Sequence, residues 1–249
     1  MVRRKADTRD RMRCRVEKLS TGFQHYLDIF SEKNHFSGPS TYFHEKTLRL
    51  LRDAGSIRKF SEDESCVDSL YATLTAWGLH RMGKNGSKLV EHDIFQDSLK
   101  RFAPMLDELR DVRLLDIDRE RASVIGERLS GLINTIKISN TGTQLVAGSK
   151  TLHHLLPGLV PPIDRNYTLR FFYSEFRERS EKQPQVPIPT GGDGSVFREV
   201  FTQFHSLGEV NKDVVRRSVG KQFFTSESKV IDNAIMGYVL DKIGPVDEE

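Results

Sequence analysis

Two cysteines, Cys14 and Cys66, are all that this sequence contains. They are too few for a disulfide framework or a four-cysteine zinc site, and they point to a reducing, cytoplasmic setting. Long apolar runs are also missing. None approaches the ~20 residues of a membrane span, and the basic start leads into no apolar signal core. Nor is there a large excess of one charge: +3 overall, with a pI of about 8.8, excludes a strongly cationic nucleic-acid coat. Any basic surface must then be local. Arg3, Arg4, Lys5, Arg9, Arg11, Arg13 and Arg15, opposed only by Asp7 and Asp10, form one. That strip reads either as a solvated, frayed end or as a segment lying along phosphates. Internal repeats and sustained apolar-polar alternation are absent too, which argues against solenoids and sheets.

What is present is helical periodicity. Tyr26, Leu27 and Phe30 share a face, as do Tyr42, Phe43, Leu48 and Leu51 after Ser40, a natural cap, until Gly55 stops them. A helix is predicted from about Asp63 to Arg81 on Val67, Leu70, Tyr71, Leu74 and Trp77, and another follows Asp93. Between Arg119 and Ile138, Ile125, Leu129, Leu132, Ile133 and Ile136 recur at three and four residues. Shorter helices are predicted at Lys150 to Leu156 and after Pro161-Pro162, then from Phe197, from Asn211 and from Lys229 to Ile243. The proline- and glycine-rich stretch Glu181 to Ser195 reads as an exposed loop and the best candidate for a flap. The expected fold is all-α: a helical lobe over 1–115 with the basic start and a second over 116–249, the terminal helix packing across both.

The stretch from Val146 to Arg165 carries the chemistry. Gly148-Ser149-Lys150 reads as a glycine turn opening a helix, and Asp164, after a proline-rich connection, opens the next. A tight turn before a helix would aim amide N–H groups and the positive helix end at a DNA phosphate. Lys150 in that first turn would have its charged form disfavoured and become a usable amine nucleophile. Asp164 within reach would stabilise a developing oxocarbenium ion or activate water.

In these residues the chain resembles the helix-hairpin-helix DNA glycosylases. Gly148 and Lys150 match the second glycine and the lysine of the family's Gly-x-Gly-x-Lys hairpin, and Asp164 matches its aspartate. Val146 stands where the first glycine is usual, Leu145 replaces the usual proline, and the spacing from Lys150 to Asp164 is short. The resemblance implies a two-lobed helical bundle with double-stranded DNA across its cleft, an extruded base, and base excision by Lys150 and Asp164, with lyase activity if the lysine attacks. It implies phosphate contacts from Gly148, Ser149 and Arg165, and includes bacterial enzymes that excise bulky modified cytosines from phage DNA. The alternative is a non-catalytic DNA-binding helical module.

Two further clusters are candidates for a base pocket. Tyr71, Trp77, His80 and Arg81 combine the only tryptophan with groups able to stack on and hydrogen-bond a base, although Tyr71, Leu74 and Trp77 also fit a core stripe. His35 and His44 lie beside Tyr42 and Phe43 and read as base-edge readers or as core histidines. His153 and His154 point about 100° apart on a helix and cannot chelate one metal as a pair. No metal or cofactor is expected, and the protein reads as a monomer.

Overall fold

The computed structural model describes residues 2–34, 36–79, 82–83, 86–174, 189 and 191–243, with the backbone alone at 2–9, 82–83, 86–87 and 243. Twelve α-helices are found among them. Extended pairing is confined to a two-rung hairpin, Met82–Gly83 against Gly86–Ser87, and one bridge from Leu89 to Ser139. The chain is all-α. No helix among the described residues is long and apolar enough to cross a membrane.

The basic start is not a frayed end but a helix, α1 (Val2–Thr21), followed by α2 (Phe23–Lys33). Arg15 explains its docking. Its buried guanidinium donates to the carbonyls of Phe171 (2.6 Å) and Ser174 (2.5 Å), at the end of a distant helix whose last carbonyls lack helical partners. Four helices then pack largely on one another: α3 (Pro39–Ala54), α4 (Ile57–Glu62), α5 (Glu64–Leu74) and α6 (His92–Asp107). Pro39, not Ser40, starts α3, because its fixed φ and missing N–H suit the first helical position. Asp63 caps α5 by accepting the Cys66 N–H at 3.2 Å.

The second group is α7 (Arg119–Thr135), α8 (Leu145–Leu155), α9 (Thr168–Tyr173), α10 (Asp193–Val210), α11 (Lys212–Ser218) and α12 (Glu227–Ile243). Here α10 lies along α7, and α12 contacts α9, α10 and α11 while making its most extensive packing with α2. Every residue from Ser228 to Leu240 is buried, so α12 is the central helix. A Cβ on Gly237 would lie 1.9 Å from the Tyr26 carbonyl oxygen, which is why a glycine occupies this crossing. Helices α1 and α2, from the start of the chain, pack with the C-terminal helices.

Two expectations around the motif are corrected. Gly148 and Ser149 do not form a turn, because α8 begins at Leu145 and runs through both. Gln144 sets that earlier start by accepting the Ile138 and Ser139 N–H groups on its side chain, closing the 136–144 loop. Gly148 donates its N–H to Gln144, and a Cβ there would meet Ile133 at 3.0 Å, so it serves close packing of α8 on α7. Ser149 is fully buried with its hydroxyl accepting the Ile163 N–H. Neither can reach a phosphate. Lys150 is accordingly in the middle of α8, and an argument from the helix end does not apply to it.

The expected Glu181 to Ser195 loop ends earlier than predicted. Helix α10 starts at Asp193, whose carboxylate accepts the Gln144 N–H (2.5 Å) and the Thr143 hydroxyl (2.7 Å) and ties α10 to the start of α8. The flap itself, over 181–188, lies outside the described residues.

Candidate functional site

A cavity of about 820 Å³ opens between α2 and α3, the turn after α5, α8, the segment leading into α9, and α12. Its volume falls in the usual range for a small-molecule site and can hold a nucleotide. Lys150 and Asp164, from successive elements, meet on its wall: Lys150 Nζ is 3.0 Å from Asp164 Oδ2.

The two oxygens of Asp164 have different tasks. Oδ1 accepts the N–H groups of Asn166 (2.7 Å) and Tyr167 (3.3 Å), capping the turn into α9, while Oδ2 faces Lys150. Burial would raise its pKa, but the Lys150 charge and these hydrogen bonds outweigh burial and hold the carboxyl below its ordinary value. Its side chain remains 30% exposed, toward the cavity.

A second acceptor holds Lys150, and a helix break supplies it. After Leu74 the chain leaves the α-helix for a wider turn, Thr75–Leu79, where Trp77 is non-helical and Gly78 takes φ 87°. That left-handed glycine releases the Trp77 carbonyl from the helical ladder. Lys150 Nζ donates to it at 3.0 Å. Trp77 thus departs from the apolar stripe of α5: its ring lines the cavity, half-buried, with Nε1 donating to Ser40 O at 3.2 Å.

Behind Trp77 stands a histidine chain whose tautomers follow from its terminus. His154 Nδ1 lies 2.8 Å from the Lys150 carbonyl, which can only accept, so Nδ1 carries the proton and Nε2 accepts from His44 Nδ1 at 2.9 Å. His44 Nε2 then accepts from the Thr225 hydroxyl at 2.9 Å. His153 donates from Nδ1 to Val160 O, and its buried Nε2 has no partner. Burial first, and the neighbouring imidazoles second, push His44 well below the ordinary histidine value; burial does the same to His153 and brings His154 to about 4. These are neutral imidazoles. His44 lines the cavity, but both of its nitrogens are already engaged within the protein.

A second lysine–carboxylate pair, which sequence reasoning missed, occupies the same cavity. Lys229 Nζ lies 2.6 Å from Asp232 Oδ2, one turn apart on α12, and 5.3 and 5.8 Å from the ring centres of Trp77 and Phe36. Thr168 connects the two pairs: its hydroxyl accepts the Asp164 N–H at 3.2 Å and lies 3.5 Å from Asp232 Oδ1. Burial and, less strongly, the Asp164 charge raise the Asp232 pKa against the lowering pull of Lys229. The available signal was Lys229 at the start of, and Asp232 and Asn233 within, the otherwise apolar stretch from Val230 to Leu240.

Of the remaining sequence candidates, Arg165 lines the cavity, half-buried. Tyr71 does not. It donates to Val90 O at 2.9 Å and packs edge-on against His92 and Phe95, because its position on α5 faces α6 rather than α8. Arg170, on α9 behind Asp164, is buried. His35, His80 and Arg81 lie outside the described residues. Comparison with protein-family models, curated proteins and solved structures finds no match to this chain.

Proposed function

We propose that the protein is a DNA glycosylase that hydrolyses the bond between deoxyribose C1′ and a damaged or modified base, with Asp164 as the catalytic carboxylate. The observation that carries this reading is the Lys150–Asp164 pair at 3.0 Å on the wall of a nucleotide-sized cavity faced by Trp77. A base extruded from the duplex stacks against Trp77, and C1′ lies by the Asp164 carboxylate where it is exposed to the cavity. As the C1′–N bond breaks, its electron pair leaves with the base and positive charge grows on the sugar. The anionic carboxylate stabilises that charge and accepts a proton from the water whose oxygen bonds to C1′. The departing base takes up one proton, which completes the hydrolysis.

Lys150 is read as a positioning residue. Its amine donates to both Asp164 and the Trp77 carbonyl, which favours attack by water over attack by nitrogen. The two packing groups of helices, with the cavity between α3, α8 and α12, support the two-lobed architecture, and the polar 136–144 loop replaces Gly148 and Ser149 as the hairpin between helices. Ser139, Thr141 and Thr143 of that loop line the cavity. A cavity this large suits an enlarged cytosine, such as those of some phage DNA, better than an unmodified pyrimidine.

The test is incubation with phage DNA carrying enlarged cytosines and with unmodified DNA, followed by alkali to reveal abasic sites. Strand breaks are expected in the modified DNA alone and should fall by about 10²-fold or more in Asp164→Asn. Asparagine retains the capping oxygen, so the fold is kept. Borohydride should trap no protein–DNA adduct; a Lys150-dependent adduct would reassign the lysine as nucleophile. Undiminished breaks in D164N would remove the carboxylate from the mechanism, and no breaks with any modified DNA would overturn the reading.

A further inference from the structure

We infer that Lys229, held by Asp232, is the group that receives the base: it donates a hydrogen bond to a carbonyl oxygen on the edge of a pyrimidine or oxopurine seated against Trp77. The inference rests on the glycosylase reading and assigns the second half of its reaction.

Three observations point the same way. First, exposure separates the two carboxylates. Asp164 is 30% exposed to the cavity and Asp232 5%, while Lys150 and Lys229 are alike at 8% and 11%. A nucleotide swung out of a duplex enters base first, so its sugar meets the exposed carboxylate, Asp164, and its base meets the pair that holds the buried one. Second, Lys229 Nζ lies within 6 Å of the ring centres of both Trp77 and Phe36. A planar ring placed against Trp77 therefore brings its edge to the amine, and the matching edge is an acceptor, since an ammonium only donates. Third, an ion pair on the central helix costs desolvation that apolar residues of the same size would avoid. Both side chains end on the cavity wall. That placement is explained by a ligand and not by the fold.

The chemistry closes with this group in place. When the C1′–N electron pair moves onto the base, the negative charge delocalises onto a conjugated carbonyl oxygen, where the Lys229 hydrogen bond stabilises it. The base nitrogen then takes the proton that the attacking water gave up through Asp164. Asp232 holds Lys229 aimed; it is a positioning residue.

Trp77 is the only tryptophan in the chain, so its fluorescence reports on this cavity alone. Free cytosine is titrated against 4-aminopyrimidine, the same ring without the carbonyl oxygen. Cytosine should quench Trp77 at concentrations at least about tenfold below those the analogue needs. Lys229→Met should erase the difference and Lys229→Arg should keep it. Because K229M alone leaves Asp232 buried without its partner, the double variant K229M/D232N, checked for native helicity by circular dichroism, is the decisive one. On modified DNA the double variant should lower kcat more than it alters KM.

Equal quenching by cytosine and 4-aminopyrimidine in the unaltered protein, no quenching by either, or a preference that survives in K229M/D232N overturns the inference. Excision that depends on Asp164 but is indifferent to Lys229 defeats it while leaving the glycosylase reading standing. Lys229-dependent base binding with no excision from any DNA does the reverse, leaving a base-binding cavity without the reaction.

Discussion

The two lysine–carboxylate pairs of the cavity are alike in chemistry and opposite in construction. Lys150 and Asp164 come from different elements 14 residues apart, and the aspartate is also tied to two backbone N–H groups of its own turn. Lys229 and Asp232 are one turn apart on a single helix, and that helix is buried all round. In the first pair the carboxyl is pushed down by the hydrogen bonds and charge around it; in the second, burial wins and pushes it up. Two aspartates linked through one threonine hydroxyl are thus set to different proton affinities. This is how a site obtains two roles from one residue type.

The sharpest way to break the comparison is to remove each carboxylate in turn. Asp232→Ala leaves the Lys229 charge buried without its acceptor and should cost about 3–5 kcal/mol in urea unfolding. Asp164→Ala should cost about 1–2 kcal/mol, because a cap is lost but Lys150 keeps the Trp77 carbonyl and the cavity admits water. Equal losses would show that the two pairs are buried alike.

Gly78 tests the Lys150–Asp164 pair without touching either of its members. Its φ of 87° costs an L-residue about 1–2 kcal/mol, and a Cβ there meets nothing within 4 Å. Gly78→Ala should therefore destabilise by that amount through the backbone alone. It should also shift the Trp77 carbonyl off Lys150, reducing the proposed excision by more than the stability loss explains while the cytosine preference proposed for Lys229 persists. An unchanged excision rate would detach the Trp77 carbonyl from Lys150 function.

The difference in construction also explains what could be read before the fold was known. Asp164 was legible because a local signal marks it, a proline-rich connection into an Asp that caps a turn, whereas Lys150 was picked out on a glycine turn that the structure replaces with continuous helix. The long periodic segments α3, α7 and α12 were legible for the same reason. Lys229 and Asp232 were not, since their role comes from Trp77 and Phe36, residues 150 and more positions away that α12 reaches only by crossing back over α2. The start of α8 was hidden because Gln144 defines it through a side chain folded onto its own loop. The helical N-terminus was hidden because α1 carries no strong apolar stripe and is anchored by Arg15 to carbonyls more than 150 residues distant.

The histidines beneath Trp77 set the background against which the two aspartates can be compared. Their folded pKa values lie below the unfolded value of about 6.5, with His154 at about 4, so the unfolded chain binds protons first as pH falls. Stability present above about pH 6.5 is lost progressively toward pH 4, at roughly 1 kcal/mol per pH unit for each histidine. His154→Gln should remove one such increment, visible as a shallower acid limb in denaturation midpoints between pH 6 and about 4. An unchanged slope would mean that His154 is charged in the folded protein.

The smallest effect is also the most discriminating, because it asks for opposite signs. Asp164 has a depressed folded pKa, so its contribution is present above the unfolded value of about 3.9 and is lost as pH falls below it. The stability gap between the unaltered protein and Asp164→Asn should therefore narrow below about pH 4. Asp232 has a raised folded pKa, so the folded state takes its proton first and acidification relieves a cost. The gap to Asp232→Asn should widen in favour of the unaltered protein as pH falls toward about 4, by on the order of 1 kcal/mol or less. The histidine contribution is common to all three proteins and cancels in both differences. Gaps that move in the same direction would mean that the two carboxyls share one electrostatic environment, and the proposed division between a sugar-facing anion and a base-facing pair would lose its physical ground.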